Sequence, residues 1–326
     1  MRYLITGITG FTGPHMAKRL LAGGHEVYGL YRSPTGNQND ISDILGEEAE
    51  KVTFIHGDFL DKASIDKVFI ENKFDGVFHL GAASWIPLAF SHPRLTFKTN
   101  ALGTINICDA ILKFNPECRL MNCSSSEVYG IHSEETRISE TIVPVPQNPY
   151  AVAKLTADWY LLERARNVGL SVFITRAFSH TGPRRGKMFS ISSDAIQIAR
   201  IIKGKQEPII KVGNMSSKRV VMDVRDVVDV YYKLMQQLEK GKIKNGEIFN
   251  ISGNDLYTMQ FYLDKMLQLF NVKAETVIEQ KFYRKIDIPV QHPDSTKVRK
   301  LLDWAPTIPI ETTLKDLVNY WLEKIR

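Results

Sequence analysis

Tyr150 and Lys154 stand four residues apart in Pro149-Tyr150-Ala151-Val152-Ala153-Lys154. On a helix, that spacing puts both side chains on one face. An ammonium beside a phenol favours tyrosinate, so it is expected to lower the phenol from its usual value of about 10. A phenol lowered in this way serves as a general base near neutral pH. Pro149 reads as a loop entering the helix. Upstream, residues 120–123 read as a strand that runs into Ser124-Ser125-Ser126-Glu127-Val128-Tyr129-Gly130. The hydroxyls suit a sugar hydroxyl undergoing oxidation, and Glu127 suits proton transfer. The plainer alternatives are a surface Tyr/Lys pair and a Ser-rich loop whose Glu caps a helix.

A second group binds rather than reacts. Gly7-Ile8-Thr9-Gly10-Phe11-Thr12-Gly13 follows the apolar run Arg2–Thr6. Helical spacing then begins near Pro14 and runs through Met16, Leu20 and Leu21 until Gly23-Gly24. A strand, a Gly-rich turn and a helix in that order make a pyrophosphate cradle. Glycine permits the tight turn and close backbone approach, and the helix offers free N–H groups and its positive end. Some twenty residues on, where an NAD enzyme often carries an acid, the chain reads Gly29-Leu30-Tyr31-Arg32-Ser33. Arg32 suits a 2′-phosphate, which leans the cofactor toward NADP; a solvated surface Arg is the alternative. Asp58 sits either at an adenine edge or in a turn. The small residues of Leu80-Gly81-Ala82-Ala83 permit a ligand against the backbone or tight core packing.

These groups need a scaffold. Apolar runs of strand length recur at Arg2–Thr6, Glu26–Tyr31, 52–55, 76–80, 120–123 and 171–176, with helical stretches between them. The pattern predicts an α/β fold, a Rossmann doubly wound parallel sheet over residues 1–176. Residues 177–326 are expected to form a smaller α/β substrate-binding lobe, with some chain exchange between lobes. Helices are expected at 193–203 and 227–238, and small strand pairs at 208–212 and Glu247–Ile251.

The 326 residues suggest about two lobes. An apolar share of 44% with 24% charged residues excludes whole-chain disorder, collagen and coiled coil. The sequence holds no apolar run of 18 residues, so no membrane span is expected, and its start lacks a secretory pattern. Cys108, Cys118 and Cys123 are odd in number and lack metal-ligand spacing. They read as reduced thiols in a cytoplasmic protein, with no metal site. The net charge of +6 is mild and fits an anionic small molecule. Lys and Arg are scattered rather than interleaved with aromatics on one stretch, so nucleic acid is not an expected partner. His79 and Lys240–Lys244 read as structural.

The turn at Gly7, Gly10 and Gly13, the Ser run with Val128-Tyr129-Gly130, and Tyr150 with Lys154 together resemble the extended short-chain dehydrogenase/reductase superfamily. The order and spacing match along the whole chain. Within that superfamily the chain is similar to the GDP-mannose 4,6-dehydratases and the GDP-6-deoxy-4-keto-mannose reductases. Ser179-His180-Thr181-Gly182-Pro183-Arg184-Arg185-Gly186, Val212-Gly213-Asn214, Asp223-Val224-Arg225-Asp226 and Trp304-Ala305-Pro306 support this.

The resemblance implies NAD(P) as cofactor. It places Gly7, Thr9, Gly10, Phe11, Thr12, Gly13, Arg32, Asp58, Leu60, Leu80, Ala82, Ala83 and Asn100 around it, along with Tyr150 and Lys154. It implies that Ser125 binds the sugar O4, that Tyr150 is the base there, and that Lys154 holds the nicotinamide ribose. Glu127 matches the dehydratase acid/base, and Ser126 stands where many sugar-nucleotide dehydratases have Asp. Ser84, Ser179, His180, Arg185, Arg219 and Arg284 fall among the implied substrate contacts. Ser179 departs from the usual Asn.

The function so implied is 4,6-dehydration of a GDP-linked hexose. The alternatives are a 4-keto reductase, a sugar-nucleotide epimerase, or a non-catalytic cofactor-binding sensor. A homodimer or dimer of dimers is implied, through the 101–112 region and the helix after Tyr150. The stretch 33–39 is shorter than the oligomerising loop of the GDP-mannose dehydratases.

Overall fold

A computed structural model describes residues 1–32, 40–283 and 286–325. The core element is a seven-stranded sheet in which every neighbouring pair is parallel. Its strands are β1 (Arg2–Thr6), β2 (Glu26–Tyr31), β3 (Val52–His56), β4 (Gly76–His79), β5 (Arg119–Cys123), β6 (Val172–Ala177) and β7 (Glu247–Ile251). Their order is β7-β6-β5-β4-β1-β2-β3. This is the doubly wound Rossmann arrangement expected from the alternation of strands and helices.

Helices cover both faces of the sheet, and the side-chain period of two divides β1 between them. Tyr3 and Ile5 enter one core with Met16, Leu20, Val227 and Tyr231. Leu4 enters the other with Phe69, Ile107 and Leu161. Strands β4 and β6 are buried along their whole length, which is why they read as continuous apolar runs.

One expectation is corrected. Glu247–Ile251 does not form a small strand pair in the second half of the chain. It is the edge of the main sheet, in parallel register with β6 from Glu247 opposite Phe173 to Ile251 opposite Ala177. The reason lies in the preceding helix, Val224–Glu239, whose buried residues lie against the sheet. A strand after such a helix returns to the sheet by the usual crossover. The expectation at 208–212 fares better: Ile209–Val212 pairs with Glu275–Ile278. Three further helices, Ser190–Ile202, Met259–Leu269 and Ile310–Lys324, pack around a separate core that includes Ile198, Tyr262, Leu263 and Leu317.

The winding direction reverses between β1 and β4, and ligands of open α/β sheets bind beyond the strand ends at such a point. There the chain is crowded. Gly7 has φ +73, and a Cβ on it would lie 2.8 Å from the Gly81 nitrogen. A Cβ on Gly13 would lie 2.4 Å from the Gly7 carbonyl oxygen. Only glycine fits at these two positions. No helix among the described residues is long and apolar enough to cross a membrane.

Candidate active site

The turn after β1 meets the helix Thr12–Ala22, and Phe11 at its capping position makes no side-chain cap. The first N–H groups of this helix therefore remain for an anion, which fits a dinucleotide pyrophosphate. Across the crevice the β4 end is pinned by polar side chains. Thr6 Oγ1 accepts from the Gly81 N–H at 3.0 Å and contacts His79 Nδ1 at 2.7 Å. Asn100 grips Ala83 in both directions: Ala83 N–H donates to its Oδ1 at 2.8 Å, and its Nδ2 donates to the Ala83 carbonyl at 3.1 Å.

The Ser run continues β5. Ser124, Ser125 and Ser126 are all buried. Ser125 accepts from the Glu127 N–H at 3.2 Å, which starts the single turn Ser126–Tyr129. The helix Pro149–Val168 begins alongside. Asn148 caps it by accepting from the Ala151 N–H at 2.8 Å, and Pro149 occupies its first turn. The Asn148 amide also donates to Glu127 Oε2 at 2.9 Å. Helical spacing then brings Tyr150, Lys154 and Asp158 to the end of β5. Lys154 Nζ donates to the Cys123 carbonyl at 2.7 Å. Ser124 donates to Asp158 Oδ2 at 2.8 Å.

The expectation that Lys154 lowers the Tyr150 hydroxyl is corrected. Burial pushes Tyr150 well above its ordinary value, and Cys123 and Glu127 push the same way. A hydrogen bond with Ser125 and the nearby Arg185 guanidinium oppose them. Desolvation outweighs both, because removing a phenolate from water costs more than one hydrogen bond and one neighbouring cation return. The Lys154 ammonium is itself lowered by burial and is engaged by Cys123.

A second cluster joins the phosphate turn to the substrate side. The Phe11 ring stacks on His180 at 5.8 Å. The Arg185 guanidinium lies 4.8 Å from the Phe11 centroid and 3.6 Å from that of Phe189. Burial pushes Arg185 down to about 10, with Tyr150 opposing the shift. Arg184 has φ +74 and donates to the carbonyls of Gly10 at 2.9 Å and Thr9 at 3.1 Å. It also pairs with Asp43.

Asp58 accepts from the Leu60 N–H at 2.9 Å, the contact of a turn residue. Arg32 is exposed at the end of β2, and Ser84 is exposed beyond β4. The Ser179 carbonyl accepts from Met222 N–H at 3.0 Å. Arg219 donates to the Ile288 carbonyl at 2.6 Å and lies 3.6 Å from Asp287. Arg284 and the stretch 33–39 lie outside the described residues. Among the described residues, no group of three or more His, Cys, Asp or Glu side chains could hold a metal ion.

Sequence reasoning missed Asn148, Asp158 and Arg176. Asn-Pro before a helical run is a start signal that points to Asn148. Asp158 continues the four-residue spacing of Tyr150 and Lys154. Nothing local marks Arg176, whose Nε meets Asp158 Oδ2 at 3.2 Å from a different strand.

Three histidines around the site are held neutral. Burial lowers His79 to about 3, and His15 and His180 each to about 4. Their folded values lie below the unfolded value of about 6.5, so their contribution to stability is complete above that pH. It is lost as pH falls from about 6.5 toward 4, where the unfolded chain takes up protons and the native chain does not. His15 Nε2 meets the Pro183 carbonyl at 3.0 Å. A His15→Gln variant keeps a donor there, and its stability is expected to fall less steeply across this window in denaturant titrations. An unchanged slope would contradict the assignment.

The family model for GDP-mannose 4,6 dehydratase matches residues 4–317. Among curated proteins, the chain is 28% identical to GDP-6-deoxy-D-mannose reductase of Pseudomonas aeruginosa, covering 100% of this chain and 98% of that protein. It is 26% identical to human GDP-mannose 4,6 dehydratase, covering 99% and 92%. Among solved structures, RMD from Pseudomonas aeruginosa complexed with NADPH superposes with a TM-score of 0.83 at 26% identity, covering 99% of each chain. With a turn built for a pyrophosphate, a Ser/Tyr/Lys cluster at the strand ends and this match along nearly its whole length, the chain belongs to the GDP-mannose 4,6 dehydratase family.

Proposed function

We propose that the chain is an NAD(P)-dependent 4,6-dehydratase of a GDP-linked hexose, of the GDP-mannose or GDP-N-acetylglucosamine type. The observation that carries this reading is Glu127. Its carboxylate is held by Asn148 at the start of the helix that presents Tyr150, beside Ser125. Oxidation at C4 needs one base, and loss of water across C5–C6 needs a second acid/base. Bound NAD(P) would supply reversible hydride storage, taken from C4 and returned to C6. The Gly7–Gly13 turn would bind its pyrophosphate, and Arg32 favours NADP. The NADPH complex of the Pseudomonas relative agrees with that preference.

Within this reading, Ser125 orients O4 and Tyr150 accepts its proton. The 4-ketone acidifies the C5 hydrogen. Glu127 removes that proton and delivers it to the departing C6 hydroxyl, which leaves as water. A proton returns to C5 as hydride reaches C6, giving a 4-keto-6-deoxy sugar. Burial disfavours the Tyr150 phenolate, and the Ser125 bond and Arg185 oppose that effect; the cationic ring of oxidised NAD(P) would add to that opposition. Arg185, Arg219 and Arg284 are assigned to the nucleotide diphosphate, and Ser84, Ser179 and His180 to the sugar. Residues 177–326 supply this substrate lobe, apart from the helix and strand that return to the sheet.

We place the protein in the cytoplasm with reduced thiols. Cys108 and Cys118 are buried, and burial pushes both thiols up to about 12. A homodimer is proposed across the face carrying exposed Phe97, Leu102, Val152 and Trp159.

A 4-keto reductase of GDP-6-deoxyhexoses is the second reading, favoured by the 28% identity to such a reductase over the full chain. Mass spectrometry separates the two. Purified protein is offered GDP-mannose, GDP-N-acetylglucosamine and their UDP counterparts without reduced cofactor. Loss of one water from one substrate, with no net cofactor change, is expected. No mass change on any of them, with NADPH consumed on a 4-keto-6-deoxy sugar nucleotide, would replace the dehydratase by the reductase.

A further inference from the structure

We propose that Asn148 is a positioning residue that fixes the Glu127 carboxylate in its working orientation. The role rests on the dehydratase reading, in which Glu127 is the acid/base. Asn148 is buried, 8% exposed, and both ends of its amide are used. Its Oδ1 accepts from the Ala151 N–H at 2.8 Å, and its Nδ2 donates to Glu127 Oε2 at 2.9 Å. These two bonds set the amide orientation, because the Oδ1 end must face the helix N–H. The NH2 end is thereby directed at the carboxylate. An amide donor stabilises the ionised carboxylate over the neutral acid.

The same side chain is thus shared between the acid/base and the first turn of the helix that carries Tyr150, two residues on. A shift of that helix start would carry both groups together. The titratable neighbour of Glu127 is Tyr150, which feels its charge together with Cys123 and Arg185.

Asn148→Asp separates this role from helix capping. Asp caps a helix about as well as Asn, so the Ala151 bond survives. The donor facing Glu127 becomes a second carboxylate, and like charges at this distance favour protonation of one of them. The melting temperature of the variant is expected to stay within about 4 °C of the parent, as a preserved cap implies. Water release from GDP-mannose is expected to fall about tenfold in kcat with KM little changed, less than the roughly 10²–10⁴ lost when a general acid/base is absent. The limb of the pH–rate profile that reports the acid/base should move to higher pH.

Carbon-13 NMR of the Glu127 carboxyl gives a second readout that needs no turnover. The resonance is assigned by its loss in Glu127→Gln, and its titration midpoint is expected to be higher in Asn148→Asp than in the parent. Asn148→Ser keeps a cap but cannot reach Glu127; it should lose rate without the large upward shift in midpoint. An unchanged Glu127 midpoint in Asn148→Asp would overturn the proposal. If the parent releases no water from any offered sugar nucleotide, the dehydratase reading fails, while the midpoint still decides the contact.

Discussion

Tyr150→Phe is expected to reduce turnover of the sugar nucleotide by about a thousandfold and to leave dinucleotide binding nearly unchanged. The loss follows from the chemistry. In the proposed reaction the phenol oxygen takes the O4 proton, and a missing general base typically costs on the order of 10²–10⁴ in rate. Binding survives because phenylalanine keeps the ring. Tyr150 packs against Ile86, Ala89 and Phe90, and none of those contacts needs the hydroxyl. Folding should not suffer either, because the change removes a buried polar group rather than stranding one. The measurement is kcat on the preferred GDP-sugar beside a fluorescence titration with NADPH. Activity within tenfold of the parent would remove Tyr150 from the mechanism. A parallel collapse of cofactor binding would turn its role into a structural one.

The second large effect is on stability. Asp158 and Arg176 form an ion pair whose side chains are 0% and 3% exposed, directly under the Ser run. Burial pushes the Asp158 carboxyl up, while Arg176, the Ser124 hydroxyl and Lys154 pull it down. Arg176 also lies 4.9 Å from the Tyr129 ring centroid, and Tyr129 donates to Asn250 Oδ1 at 2.7 Å. The pair therefore joins the helix that carries Tyr150 to β6 and to the turn that bears Glu127.

Asp158→Ala leaves a guanidinium buried without its partner and is expected to cost about 3–5 kcal/mol. That corresponds to a fall on the order of 10 °C in melting temperature. A joint Asp158→Leu, Arg176→Met variant is expected to be less damaging than Asp158→Ala, since no charge is then stranded. Calorimetry on the three proteins tests this. A single variant as stable as the parent would show that Arg176 finds water or another acceptor.

The parts of the candidate site were legible in the sequence where their spacing is local. The turn at Gly7, Gly10 and Gly13 is a backbone requirement of three nearby positions. Tyr150 and Lys154 share a face because one helix spaces them. The alternation of apolar runs already specified a doubly wound sheet, because a parallel strand needs a crossover helix. Where the argument needed two distant segments, the sequence was silent. Glu247–Ile251 read as a small cap strand because its partner β6 lies some seventy residues away, and only packing of Val224–Glu239 on the sheet returns it there.

Arg184 reaches the carbonyls of Thr9 and Gly10 across more than 170 residues, and no spacing rule reports such a contact. Protonation was likewise decided by the tertiary structure. From spacing alone, Lys154 should lower the Tyr150 hydroxyl. In the fold, both are buried, and desolvation sets the direction of each. Burial is a property of the whole chain folded around a site. Residue types and spacing establish which groups are available, and the packed surroundings determine the charge each one carries.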